Sequence, residues 1–141
     1  CNNGGLRTEI TTGDVTRADI YAVFPFDNKM TLLELTGKSL LKFFDYMTSY
    51  MEPMSSGVRL TIKDGAVSSV TLNGKTIDPD AIYKVCTIDY LVASARYALD
   101  ENIYRLDSED YIYDLFCNQV KKAAARGEQV QASIDDRVSE I

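Results

Sequence analysis

Three short segments carry side chains whose types and spacing suit ligand binding. In Asn2-Asn3-Gly4-Gly5-Leu6-Arg7, paired glycines let the backbone approach a ligand closely. Arg7 adds a planar fork that fits an anion, and Asn2 and Asn3 add neutral donors and acceptors. Taken alone, Asn-Gly-Gly also reads as an ordinary tight turn, and the segment by itself favours that turn. In Phe24-Pro25-Phe26-Asp27-Asn28, a proline-stiffened loop holds a ring beside polar groups, which makes a stacking plate for a flat ligand. Phe24 reads as a core anchor, whereas Phe26 fits either role. Thr87-Ile88-Asp89-Tyr90-Leu91 closes an apolar run, so Tyr90 either offers a second aromatic face or packs on the last helix. A flat base between two rings gains about 1–3 kcal/mol per stacking contact.

Composition removes most other chemistry. The chain has 141 residues and no histidine, so it contains no Ser-His or Cys-His pair and no imidazole metal site. Catalysis would rest on carboxylate, lysine or tyrosine, and no paired-acid motif of a glycosidase type is present. Asp78 with Asp80 is too sparse a set to hold a metal. The net charge of -6 argues against a nucleic-acid partner. No apolar run is long enough to span a membrane. Three cysteines are odd in number and widely spaced, which is no disulfide framework. Cys86 and Cys117 read as small buried hydrophobes. Cys1 has the position of a lipidated N-terminal cysteine, but the local pattern favours a chain that begins inside a strand, with any export signal missing.

The elements that must position these groups follow from pattern. Thr16 with Asp19 predicts a capped helix over about 17–21, broken by Pro25. A buried strand is expected over 30–35. Leu40, Phe43, Phe44 and Met47 fall on one stripe of a helix that follows Thr36-Gly37. Val58, Leu60 and Ile62 alternate with polar residues as a half-buried strand, and Asp64-Gly65 and Asn73-Gly74 are hairpin turns. A strand through Tyr83, Val85, Thr87 and Asp89 follows the Asp78-Pro79-Asp80 turn. The last long helix is expected over 108–126, with Ile112, Leu115, Phe116, Gln119, Val120 and Ala123 inward and Gly127 as its stop.

The segments together, in order and spacing, resemble the C-terminal domain of the exported 5'-nucleotidase family. The match runs from Asn2-Asn3-Gly4-Gly5-Leu6-Arg7 through Gly13-Asp14-Val15, Val23-Phe24-Pro25-Phe26-Asp27-Asn28 and Glu34-Leu35-Thr36-Gly37. It continues through Ser56-Gly57-Val58-Arg59, the segment from Val70 to Pro79, and Tyr83-Lys84-Val85-Cys86-Thr87-Ile88-Asp89-Tyr90-Leu91. Asp136-Arg137-Val138 matches the family's final strand.

The resemblance implies an α+β domain with a mixed or antiparallel sheet and packed helices. Such a domain recognises a nucleotide or nucleoside for a separate two-metal phosphatase domain. It implies substrate contacts at Asn2 and Arg7, base stacking on Phe26 and Tyr90, and a pocket shaped by Asn28. One departure stands out. Where the family carries Gly-Gly-Asp-Gly-Tyr, whose aspartate holds the ribose hydroxyls, this chain has Ala93-Ser94-Ala95-Arg96-Tyr97. An acceptor is replaced by a donor-only cation, so Arg96 is expected either to meet a more anionic ligand or to mark a decayed site.

Residues 1–141 are thus expected to be one such domain, lacking an N-terminal helix and the metallophosphatase domain. The chain alone is expected to be non-catalytic and to hold no cofactor, with divalent metal only in the partner domain. The family implies export to the periplasm or cell surface. An exposed apolar patch and homodimerisation are the expected consequences of the missing helix. The alternative is a degenerate, non-catalytic exported binding or scaffold module that has lost ribose recognition.

Overall fold

A computed structural model of the chain describes residues 1–50, 52–97, 99 and 103–141. Its first helix, α1 (Arg17–Val23), begins in the capping box that Thr16 and Asp19 predict. The Thr16 backbone N–H donates to Asp19 Oδ2 at 2.7 Å, and the Asp19 N–H donates to Thr16 Oγ1 at 3.3 Å. Strand β1 (Lys29–Thr36) follows, and Thr36 then caps helix α2 (Gly37–Ser49), whose side chain accepts from the Ser39 N–H. All four stripe residues, Leu40, Phe43, Phe44 and Met47, are buried.

Strands β2 (Val58–Lys63), β3 (Ala66–Leu72) and β4 (Lys75–Thr76) form an antiparallel meander. Asp64-Gly65 and Asn73-Gly74 make its turns with φ of 52° and 76°, and of 50° and 77°, the left-handed pair that matches strand twist. Strand β5 (Ile82–Ile88), the short helix α3 (Asp89–Ala93), strand β6 (Tyr104–Tyr111), helix α4 (Ile112–Ala125) and strand β7 (Val138–Glu140) complete the order.

The strands form two sheets. In the first, β1 is central between β5 and β6, both antiparallel to it. The second runs β4-β3-β2-β7, where β7 lies parallel to β2. Helix α2 packs against both β1 and β3 and therefore lies between the sheets. Leu33 and Leu35 from β1, the α2 stripe, and Leu60 and Val70 from the meander share one core.

The start of α2 also explains Gly37. A Cβ there would lie 1.9 Å from the Asp78 carbonyl oxygen. This close approach lets the Gly37 and Lys38 amides donate to the Ala81 and Pro79 carbonyls at 2.8 and 2.9 Å.

Four expectations change. The final helix does not begin at 108, because residues 108–111 belong to β6, where Tyr111 pairs with Lys29. Ser108-Glu109-Asp110 has no apolar period of its own, and β1 supplies the hydrogen bonds that decide its state. Gln119 is exposed rather than inward; α4 lies at the periphery, touching α1 and β6, so its face is only partly covered. The β5 strand stops at Ile88, and Asp89 instead starts α3, its carboxylate accepting from the Tyr90 N–H at 2.8 Å.

Cys86, expected to be buried, is exposed, whereas Cys117 is buried as expected. On β5 the period of two places Cys86 in phase with exposed Ile82 and Lys84, on the outer face.

An apolar groove of about 790 Å³ runs beside α2 and the open edge of β5, lined by residues that include Phe43, Met47, Met54, Leu72 and Val85.

Candidate functional site

A second, smaller cleft of about 290 Å³ lies where the first loop, the Phe24–Asn28 segment and the end of β5 meet. Its walls include Asn2, Gly5, Phe24, Phe26 and Asn28, and Ile88 and Ile112 contribute from the ends of β5 and α4. Three of the residues singled out from sequence, Asn2, Phe26 and Asn28, thus converge on one cleft across more than twenty residues of chain.

Local chemistry fixes each wall. The first loop is a 3-10 turn over Asn3–Gly5, closed by the Gly5 N–H on the Asn2 carbonyl and the Leu6 N–H on the Asn3 carbonyl, each at 3.0 Å. The Arg7 N–H donates to the Val23 carbonyl at the end of α1, also at 3.0 Å. The Asn2 side chain is buried beneath this turn, and among the described residues its Oδ1 has no hydrogen-bond partner. Gly5 permits that arrangement, since a Cβ there would lie 2.9 Å from Oδ1. An orphaned buried amide oxygen costs free energy that a donor would recover.

Phe26 is 45% exposed, so its ring faces outward as a plate rather than filling the core. Phe24, half-buried, packs on Phe116 with ring centroids 5.5 Å apart and is the anchor. The Arg7 guanidinium lies over the Phe26 ring, 6.0 Å from its centroid, as a cation–π contact. The Asn28 carbonyl accepts from the Ile112 N–H at 3.0 Å, joining the cleft to the start of α4.

The other three candidates, Arg7, Tyr90 and Arg96, lie outside these walls, and Arg7 sits over Phe26. Tyr90, on the first turn of α3 just past Ile88, is 51% exposed and packs on no ring among the described residues. It is not among the residues that line the cleft. Arg96 is turned toward the end of α2: its guanidinium sits 4.7 Å from the Tyr50 ring centroid. The 95–97 segment is a 3-10 turn.

Two residues beside the cleft escaped the sequence reading. Glu52, in the loop after α2, is buried and accepts from the Asn3 N–H. Tyr97 is buried and donates its hydroxyl to the same carboxylate at 2.7 Å. A carboxylate in a Pro-containing loop carries no sequence signal of burial.

Among the described residues no three His, Cys, Asp or Glu side chains converge on one point. No described helix is long and apolar enough to cross a membrane.

Fold and cleft together define an α+β domain with a small open cleft where its loops meet. The sequence profile of the 5'-nucleotidase C-terminal domain matches residues 1–98. The chain therefore belongs to the 5'-nucleotidase C-terminal domain family. A 5'-nucleotidase of Vibrio vulnificus is 32% identical over 99 residues, covering 65% of this chain and 18% of that protein. The chain spans less than a fifth of the length of such curated relatives.

Among solved structures, a 5'-nucleotidase precursor from Thermus thermophilus superposes with a TM-score of 0.84 at 21% identity. The match covers 99% of this chain and 30% of that one. A Haemophilus influenzae NAD nucleotidase gives 0.80 at 20% identity, over 99% of this chain and 28% of that one. At these identities the superpositions speak for the fold.

Proposed function

We propose that this domain recognises a nucleotide or nucleoside for a 5'-nucleotidase-like phosphohydrolase and works with a two-metal phosphatase domain that supplies the hydrolytic centre. The observation that carries this reading is the cleft itself. An exposed ring on a stiff loop, a guanidinium over that ring and an unpartnered amide oxygen in the cleft wall fit a flat base bearing an anionic group.

In this reading Phe26 stacks on the base, Arg7 and Asn2 anchor polar groups, and Asn28 shapes the wall. Tyr90 closes over the base from α3 once ligand is present. The two-metal chemistry belongs to the partner domain, and with it the role in nucleotide catabolism and the exported, periplasmic or cell-surface location of such enzymes.

Calorimetric titration of adenosine and AMP into the chain, repeated with Phe26→Ala, tests this. Isolated from its phosphate site, the domain is expected to bind near millimolar, about -4 kcal/mol. Phe26→Ala is expected to abolish the signal. Binding that survives Phe26→Ala removes the stacking role.

One observation favours a second reading, a non-catalytic binding module without ribose recognition. The position where the family places its ribose aspartate holds Arg96, and that side chain covers Tyr50 instead of facing the cleft. Absence of any binding up to the solubility of AMP selects this second reading.

A further inference from the structure

We propose that Glu52 is the positioning residue of the cleft, a buried carboxylate that ties the turn bearing Asn2 to the segment that follows Tyr90. Its ligand rests on the nucleotide reading above; its mechanical role does not.

The geometry is specific. Glu52 is 7% exposed, and its two carboxylate oxygens are taken by different parts of the chain. Oε2 accepts the Asn3 N–H, 49 residues away, and Oε1 accepts the Tyr97 hydroxyl, 45 residues away, at 2.7 Å. The Glu52 N–H donates to the Met47 carbonyl at 3.0 Å, so the hub is fixed to the end of α2. A buried carboxylate is tolerated only when hydrogen-bonded, and charge-assisted bonds are the strong ones.

Each arm ends on a candidate binding segment. Asn3 begins the 3-10 turn, so its N–H is among the first-turn donors that the helix itself leaves unsatisfied. Holding it sets the turn whose residues follow on to Arg7 and under which the Asn2 amide lies. Tyr97 is 1% exposed, wedged edge-on against Phe43 and Tyr50 at 6.4 and 6.3 Å between centroids. Arg96 lies over Tyr50, the ring that packs edge-on against Tyr97. Tyr97, Glu52 and Asn3 therefore form one continuous chain of hydrogen bonds. Arg96 covers the aromatic packing beside this chain rather than entering the cleft.

The test uses the full chain and two readouts, amide hydrogen exchange and calorimetric titration with AMP, on wild type, Glu52→Ala, Glu52→Gln and Tyr97→Phe. Glu52→Ala is expected to speed exchange of the Gly5 and Leu6 amides at least tenfold, with β1 amides unchanged, and to raise the AMP Kd at least fivefold. Glu52→Gln keeps the shape and one acceptor, so it is expected to recover most of both. Tyr97→Phe frees one oxygen only and is expected to move both readouts in the same direction by less.

Unchanged exchange at Gly5 and Leu6 in Glu52→Ala overturns the proposal, as does a loosened turn with unaltered AMP affinity. If wild type binds no AMP while Glu52→Ala loosens the turn, the nucleotide reading fails and the positioning role stands. Should Glu52→Ala not fold, the ranking of Glu52→Gln and Tyr97→Phe decides by the same criteria.

Discussion

The Tyr97 hydroxyl shows how one buried group links stability to pH. Burial, and then the bond to the Glu52 carboxylate, push its pKa from 10.0 up to about 12. The neutral phenol is the form the fold favours. Its contribution is therefore fully present below pH 10 and is lost as pH rises through the folded-state value near 12. Chemical denaturation across that window is expected to show falling stability in the wild type and a flatter profile in Tyr97→Phe. Equal slopes would show that Tyr97 is not the titrating group. Arg7 supports a second expectation at this scale. Its guanidinium is exposed over the Phe26 ring, where it can meet an anion without displacing buried structure. Arg7→Ala is expected to weaken AMP binding about tenfold, roughly 1.4 kcal/mol, and adenosine binding much less. Titrations with the two ligands compare these losses directly.

At the scale of elements, local chemistry sets both ends of the first sheet. Thr36 ends β1 and caps α2 in one step, and Gly37 lets the 78–81 turn dock against the helix start. Because the obstructing atom is backbone carbonyl, a methyl at Gly37 has nowhere to go. Gly37→Ala is expected to cost about 3 kcal/mol or to prevent folding, the upper end for overpacking, as thermal unfolding would register. Leu33 on β1 is fully buried between the flanking strands and α2. Leu33→Ala is expected to cost about 2–5 kcal/mol, measurable in urea. A smaller loss would mean that the site collapses around the missing atoms. At the other end of the first sheet, β5 gives way to α3 at Asp89, and that change of direction brings Ile88 to the cleft and leaves Tyr90 beside it.

For the whole molecule, two sheets sharing one helix make a support whose loop end is free to carry binding groups. The family matched over residues 1–98 is a C-terminal domain, and the chain spans less than a fifth of its curated relatives. In the function proposed above, hydrolysis belongs to a two-metal partner domain. The purified chain supplied with divalent metal is accordingly expected to release no phosphate from AMP in a colorimetric assay. Steady release that copurifies with the chain and responds to Phe26→Ala would overturn that division of labour.

Much of this was legible in the sequence because local rules had no competitor. The capping box at Thr16, the stripe on α2, the alternation on β2 and the two left-handed turns each follow from contacts within a few residues. The ordered motifs named the family by themselves. Where pairing or burial came from distant chain, the sequence was silent or misleading. Residues 108–111 are strand because β1 lies alongside, and Cys86 is exposed because β5 places it in phase with Lys84. The convergence of Asn2, Phe26 and Asn28 was implied by order, but the inward turn of Arg96 and the hub at Glu52 were not. A buried carboxylate between residues 49 and 45 positions away is set by tertiary packing alone, since no local pattern records which loop will close over it.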